Sequence, residues 1–286
     1  PHAATPALTD KYKHKLAGAE WSQTYKASYA GMIEAFDNSV RAVREKIISL
    51  ELEENTLFIV TSDNGAISEV GPLRGAKAAL FEAGIKVPMV MVWPGKIKQN
   101  STCNIPITSV DLLPSFAELA GVNLPETQPQ DGKSIIPLLQ GQSCLEERSI
   151  FWHCPFYARS RICQELNVYG TDIKYWLCTP SSAIMKGEYK LIYYYENHST
   201  ELYNVVEDID ESENLSLSKP LLAKELLSEL NAWVKETNAP VPTKENTSFD
   251  PSFVPPALDQ PWRTPRALRA LKKMLLLTIQ HSRHFF

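Results

Sequence analysis

Two oxygen-bearing side chains stand together in the stretch Thr61-Ser62-Asp63-Asn64-Gly65. One is anionic and the other neutral, a donor pair suited to a hard cation such as calcium or magnesium. An Asn-Gly turn with Asp63 as its cap uses the same residues, so on these alone both readings stand. Further on, Leu73-Arg74-Gly75-Ala76-Lys77 brings two cations after a glycine-containing loop. A lysine close to a metal supplies a point charge for a bound oxyanion. A solvent-exposed Lys77 is the alternative.

Such residues act only if the chain positions them. Residues 57–61 form a short, continuous apolar run rich in β-branched side chains, the pattern of a strand buried on both faces. Ligands of open α/β sheets bind beyond the carboxyl ends of strands, which is where Asp63 and Asn64 fall. A second such run, 87–93, stops at Pro94-Gly95. Tyr29, Ile33, Phe36, Val40, Val43, Ile47 and Leu50 recur at steps of three and four, predicting a long amphipathic helix before a turn at 53–55. Ser109 caps a helix over 110–120 that Gly121 stops. Buried strands alternating with helices predict a parallel or mostly parallel sheet in an α/β domain.

Character changes after a Pro/Gln-rich linker at 125–130. Short aromatic strands are predicted at 150–152, 190–195 and 201–204, the last two joined as a hairpin through 196–200. A helix at 221–235 buries Leu222, Leu226, Leu230 and Trp233, giving a small α+β subdomain. Residues 1–26 read as polar and irregular, and 239–261 as a Pro-rich extended segment. From Arg263 a basic, amphipathic tail follows, for which a packed terminal helix is favoured over a membrane-surface one. The expected divisions are 1–125, 126–240 and 241–286.

With 44% hydrophobic and 22% charged residues, the 286-residue chain has an ordinary globular composition. A net charge of -4 gives no argument for nucleic-acid binding. The five cysteines, Cys103, Cys144, Cys154, Cys163 and Cys178, make no close-spaced zinc pattern. One or two bridges within 144–178 and scattered thiols both remain open. Asn100, Asn197, Asn214 and Asn246 each begin an Asn-x-Ser/Thr sequon, compatible with a secretory route.

The order of motifs resembles the sulfatase family of the alkaline phosphatase superfamily over roughly residues 20–237. The series runs from Tyr29-Ala30-Gly31-Met32-Ile33-Glu34 with Asp37, through Ser62-Asp63-Asn64-Gly65 and Leu73-Arg74-Gly75-Ala76-Lys77. It continues with Glu82-x-Gly84-Ile85-x-x-Pro88, Trp93-Pro94-Gly95, Asp111-Leu112-Leu113-Pro114 and Asp131-Gly132-Lys133-Ser134. Phe151-Trp152-His153-x-Pro155, Ser182-Ala183-Ile184, Gly187-x-Tyr189-Lys190-Leu191-Ile192 and Glu201-Leu202-Tyr203-Asn204 complete it. The likeness is nearest to arylsulfatase-like enzymes of the bacterial, exo-acting type. It implies part of a mixed sheet sandwiched by helices, as in alkaline phosphatase, followed by an α+β subdomain with an antiparallel sheet. It makes Asp63 and Asn64 ligands of a Ca2+ ion, with Mg2+ as the other choice, and Lys77 a contact to the substrate sulfate. His153 becomes a residue lining the substrate pocket, or a buried structural histidine. The implied substrate is a sulfated small molecule or glycan, and the implied setting secreted, periplasmic or lysosomal. Ala76, Ala83 and Met185 depart from the family, which often has Gly, Gly and Arg there, and the loop 65–72 is short.

The family's nucleophile is a formylglycine made from Cys or Ser in Cys/Ser-x-Pro-x-Arg. Cys178-Thr179-Pro180-Ser181-Ser182 imitates it, but Ser182 stands where arginine is needed and the stretch lies downstream of Asp63. The first acidic pair of metal ligands and a His-x-Pro histidine also have no counterpart here, since His2 does not match. The chain begins Pro1-His2 and reads as a fragment, with formylglycine expected in an N-terminal part. A phosphatase or phosphonate hydrolase of the same superfamily is one rival, and a non-catalytic glycan-binding module is another.

Overall fold

Thr5 and Pro6 start the chain's first helix. The Thr5 hydroxyl accepts from the Leu8 N–H, Pro6 occupies the first turn, and Lys13, His14 and Lys15 lie at the end, where the helix dipole favours cations. The structure is a computed structural model that describes residues 3–17, 24–66, 71–142, 145–159 and 176–244. The basic tail, the Pro-rich stretch beyond residue 244, His2, Cys144 and Cys163 lie outside the described residues. Helices are α1 (Pro6–Lys15), α2 (Thr24–Ser49), α3 (Glu82–Ile85), α4 (Leu112–Ala120), α5 (Ile136–Leu139) and α6 (Pro220–Glu236). Strands are β1 (Phe58–Thr61), β2 (Met89–Val92), β3 (Ser149–Cys154), β4 (Ala158–Arg159), β5 (Trp176–Cys178), β6 (Ser181–Lys186), β7 (Tyr189–Tyr194) and β8 (Thr200–Asn204).

The chain forms two compact units, one of residues 1–65 and 86–150, the other of 66–85 and 151–286. They cut the sequence differently from consecutive stretches, because 66–85 leaves the earlier unit to join the later one.

In the first unit α1 packs on α2, where the polar start of the chain had been expected to be irregular. Gly31 allows the approach: a Cβ there would lie 2.8 Å from the Ala4 Cβ. Lys11 pairs with Glu34 at 2.7 Å across the same contact. Helix α2 matches its predicted periodicity, yet Ile33, Phe36, Val43 and Leu50 on its apolar stripe are exposed. Strands β1 and β2 pair antiparallel, Phe58 opposite Val92 and Thr61 opposite Met89. This corrects the expected parallel arrangement. Among the described residues the connection between these strands contains only the four-residue α3, where a parallel pair is usually joined through a longer helix. Val90 and Val92 remain exposed, so β2 is covered on one face.

Gly121 ends α4 at φ 65°, as predicted, but the start is capped by Thr108 rather than Ser109. Thr108 and Asp111 bond reciprocally through a short 3-10 turn, with Thr108 N–H donating to Asp111 at 2.7 Å. Asp111, fully buried, also accepts from the Lys133 N–H and both guanidinium nitrogens of Arg148. Burial raises the Asp111 carboxyl, but Arg148 and the two backbone donors outweigh that and hold it below the usual carboxylate range.

The second unit is built on a four-stranded sheet in the order β3-β6-β7-β8, with β6-β7 and β7-β8 antiparallel. Alternation sorts the strands into two faces. Ile184, Leu191 and Leu202 pack against Ala223, Leu226 and Leu230 of α6. Each fully buried leucine contributes about 2 kcal/mol of transfer free energy. Ala183, Ile192, Tyr194 and Tyr203 face the segment Ala79-Leu80-Phe81. Among the described residues no helix is long and apolar enough to cross a membrane.

Candidate functional site

Asp63 and Asn64 come one residue after the C-terminal end of β1, which is half-buried with Thr61 exposed rather than buried on both faces as expected. The Ser62 hydroxyl donates to the Asn64 carbonyl at 2.9 Å, drawing the chain into a tight bend. The Asp63 side chain is exposed and, among the described residues, takes no hydrogen bond or ion pair. A carboxylate that capped its own turn would be engaged locally, so this one is left available to an external partner. Among the described residues no three His, Cys, Asp or Glu side chains converge to hold a metal ion. The donor set suits a hard cation in kind, and supplies two oxygens of the six to eight that calcium takes.

Lys77 belongs to the second unit, and the structure shows how its loop is held there. Arg74 stacks its guanidinium 4.0 Å from the centre of the Phe81 ring. It also donates to Tyr203 Oη at 3.0 Å and to the Glu211 carbonyl at 2.9 Å. The Ala83 N–H returns to the Arg74 carbonyl, and the Lys77 N–H donates to Ala66. Gly84 is needed where the segment folds on itself, since a Cβ there would lie 2.1 Å from the Ala79 carbonyl oxygen. Glu82, two residues earlier, is buried against Lys190 of β7, whose Nζ lies 2.8 Å from Glu82 Oε1. The same ammonium lies 2.8 Å from Glu211 Oε1 as an ion pair without hydrogen-bond alignment. Glu211 Oε2 accepts from the Glu82 N–H at 2.7 Å. Burial pushes the Glu211 carboxyl up against the pull of Lys190.

Of the two cations in the loop, then, Arg74 is spent on packing and Lys77 is exposed with no ion-pair partner among the described residues. Ala76 and Ala83, where the family often has glycine, bury their methyls in the same segment, at 8% and 1% exposure. Sequence reasoning singled out neither Glu211 nor the buried role of Lys190. The signal was present for Lys190, which alternation places on one face with Ile192 and Tyr194.

His153 lies on β3 with both ring nitrogens engaged. Nδ1 meets Ser182 Oγ at 2.7 Å and Nε2 meets the Pro240 carbonyl at 2.7 Å. A carbonyl only accepts, so the proton sits on Nε2, and Ser182 donates to Nδ1 in the neutral ring. Tyr195 Oη completes the chain at 2.8 Å from Ser182. Recognition of a ligand through this ring requires one of these partners to let go. Cys178, in the sequence that imitates a nucleophile motif, is 1% exposed, and its hydrogen bond to Cys154 together with burial pushes its thiol far up. A thiol held neutral in a core is no nucleophile.

Two family models match, one described as Sulfatase over residues 1–122 and one as N-sulphoglucosamine sulphohydrolase, C-terminal, over 76–239. A sulfatase from Formosa agariphila is 32% identical across 82% of this chain and 44% of its own length. Among solved structures, Ps i-CgsB bound to k-i-k-neocarrahexaose superposes with a TM-score of 0.66 at 24% identity, over 82% of this chain and 47% of the other. A protein bound to its substrate D-glucosamine-2-N,6-O-disulfate gives 0.61 at 22% identity, over 84% and 47%. These structural likenesses are likenesses of fold. The chain spans less than half the length of these relatives.

Proposed function

Because the chain belongs to the sulfatase family of the alkaline phosphatase superfamily, we propose that it is the later portion of a sulfuric ester hydrolase acting on a sulfated glycan or sulfated small molecule. The observation that carries the reading is Asp63, exposed and without a partner among the described residues, beside Asn64 just past the end of β1, in a chain matched by sulfatase models over residues 1–239. In this reading Asp63 and Asn64 would hold a Ca2+ or Mg2+ ion through two oxygens, and the ion would supply charge stabilisation to the sulfate oxygens. Lys77, on a loop that Arg74 and Glu82 anchor, adds a point charge toward the sulfate. The formylglycine of an N-terminal portion supplies the nucleophilic oxygen when present. His153 shapes the wall on which the substrate rests rather than exchanging protons with it. The relatives' ligands, a neocarrahexaose and a disulfated glucosamine, support a sulfated saccharide as substrate.

The 286-residue chain by itself is expected to be inactive, since it contains no Cys/Ser-x-Pro-x-Arg nucleophile. The test is hydrolysis of an aryl sulfate by the longer protein and by this chain, side by side. The longer protein should turn over, and Asp63→Ala within it should lower kcat/KM about 100- to 1000-fold, in the range seen when transition-state charge loses its partner. Turnover by the chain alone, or an Asp63→Ala protein of full activity, refutes the assignment. A longer protein that cleaves phosphate but not sulfate esters would move it to the phosphatases of the superfamily.

A further inference from the structure

Cys154 ends β3 and Cys178 ends β5, and their sulfurs lie 2.9 Å apart. Both are free thiols, 6% and 1% exposed, in the core cluster that contains Phe81 and Ala183. Their approach is fixed by backbone pairing. Ala158, four residues beyond Cys154, stands opposite Cys178 in the β4-β5 ladder. Strand β6, which begins three residues after Cys178, is the sheet neighbour of β3. Two strand contacts within one unit therefore hold the two α-carbons in place on either side of the sulfur pair. The sulfurs are within about 0.9 Å of bonding distance, a gap that small side-chain rotations close.

We propose that Cys154 and Cys178 form an intrachain disulfide when the chain folds in the presence of a small-molecule disulfide oxidant. The Cys154 thiolate attacks one sulfur of the oxidant, whose own sulfur–sulfur bond breaks, and one thiol leaves carrying the Cys154 proton. The Cys178 thiolate then attacks the Cys154 sulfur of the mixed disulfide, and the second thiol leaves with the Cys178 proton. The two cysteines lose two electrons and two protons, and the oxidant gains both. The exchange belongs to folding, before the pair is covered. The proposal does not rest on the sulfatase chemistry.

The test refolds the 286-residue chain with oxidised glutathione, blocks remaining thiols with iodoacetamide and maps tryptic peptides by mass. Trypsin isolates Cys154 in residues 149–159 and Cys178 in 175–186, with Cys163 apart in 162–174. The expected product joins the first two peptides, two hydrogens lighter than their sum, and disappears on reduction. Cys103→Ser, which removes an exposed thiol in the other unit, should leave that product unchanged. Recovery of both peptides alkylated, or of Cys154 joined to a different cysteine at comparable yield, overturns the proposal. So does loss of the product in Cys103→Ser.

Discussion

Replacing Lys190 with methionine tests how the loop that carries Lys77 is held. Lys190, Glu82 and Glu211 are each 2% exposed or less, and one ammonium lies 2.8 Å from both carboxylates. Lys190→Met keeps most of the side-chain volume and leaves two carboxylates buried without their counter-charge. Breaking a buried ion pair by removing one partner costs about 3–5 kcal/mol. With a urea slope of about 2 kcal/mol/M, that lowers the unfolding midpoint of the unit by about 1.5–2.5 M. Trp152 and Trp233 lie in this unit, and Trp233 stacks on Phe151 at 4.8 Å, so tryptophan fluorescence reports its unfolding. The sign with pH is fixed. Burial raises the Glu211 carboxyl above its unfolded value and Lys190 opposes that rise, so in the variant its favourable share is complete below about pH 4 and lost as pH rises through the folded value. The deficit against wild type should therefore be largest near neutrality and shrink in acid. Glu82→Gln with Glu211→Gln in the Lys190→Met background should recover most of the loss. An unfolding free energy unchanged to within about 0.5 kcal/mol, or a deficit that does not vary with pH, would refute the argument.

Asp111→Ala removes a buried carboxylate that four donors engage, and should cost about 3–5 kcal/mol in thermal or urea unfolding of the first unit. Its folded value lies below the unfolded one, so the wild-type advantage is present above about pH 4 and fades as pH falls through the depressed value. Hydrogen exchange on the 286-residue chain should protect β6 and β7, both internal in their sheet, roughly 100-fold more than β1 and β2, which form a two-stranded pair. Equal, slow exchange across 57–92 would show a self-sufficient first unit and favour the non-catalytic module.

Apolar patterning was enough to find α2, α6, β1 and the β7-β8 hairpin: a stripe at steps of three and four for the helices, a continuous β-branched run for β1, and short aromatic runs around a turn for the hairpin. Helix α1 escaped because it buries no residue and carries no apolar stripe; a cap, a proline and basic residues in its last turn make it. Strand direction was not legible. The runs 57–61 and 87–93 suit either sense, and among the described residues the connection offers only the four-residue α3 as a crossover. Asp63, Asn64 and Lys77 could be named from motif order, whereas the anchoring of the Lys77 loop could not. It depends on Glu82 meeting Lys190 and Glu211, which lie 108 and 129 residues further along the chain.

The membership of residues 66–85 in the later unit governs how the molecule can be divided. A piece that starts at residue 151 keeps α6 and the sheet apart from the first two residues of β3, but discards Phe81, Glu82 and Arg74. One face of that sheet would then lie open, Lys190 would keep only Glu211, and Tyr203 would lose its guanidinium partner. A separable second unit has to carry 66–85 with it, joined by a linker at a new terminus or added back as a peptide. Whether that peptide binds the 151–244 piece, and whether Glu82→Gln weakens the binding, measures in trans what the intact chain does in cis.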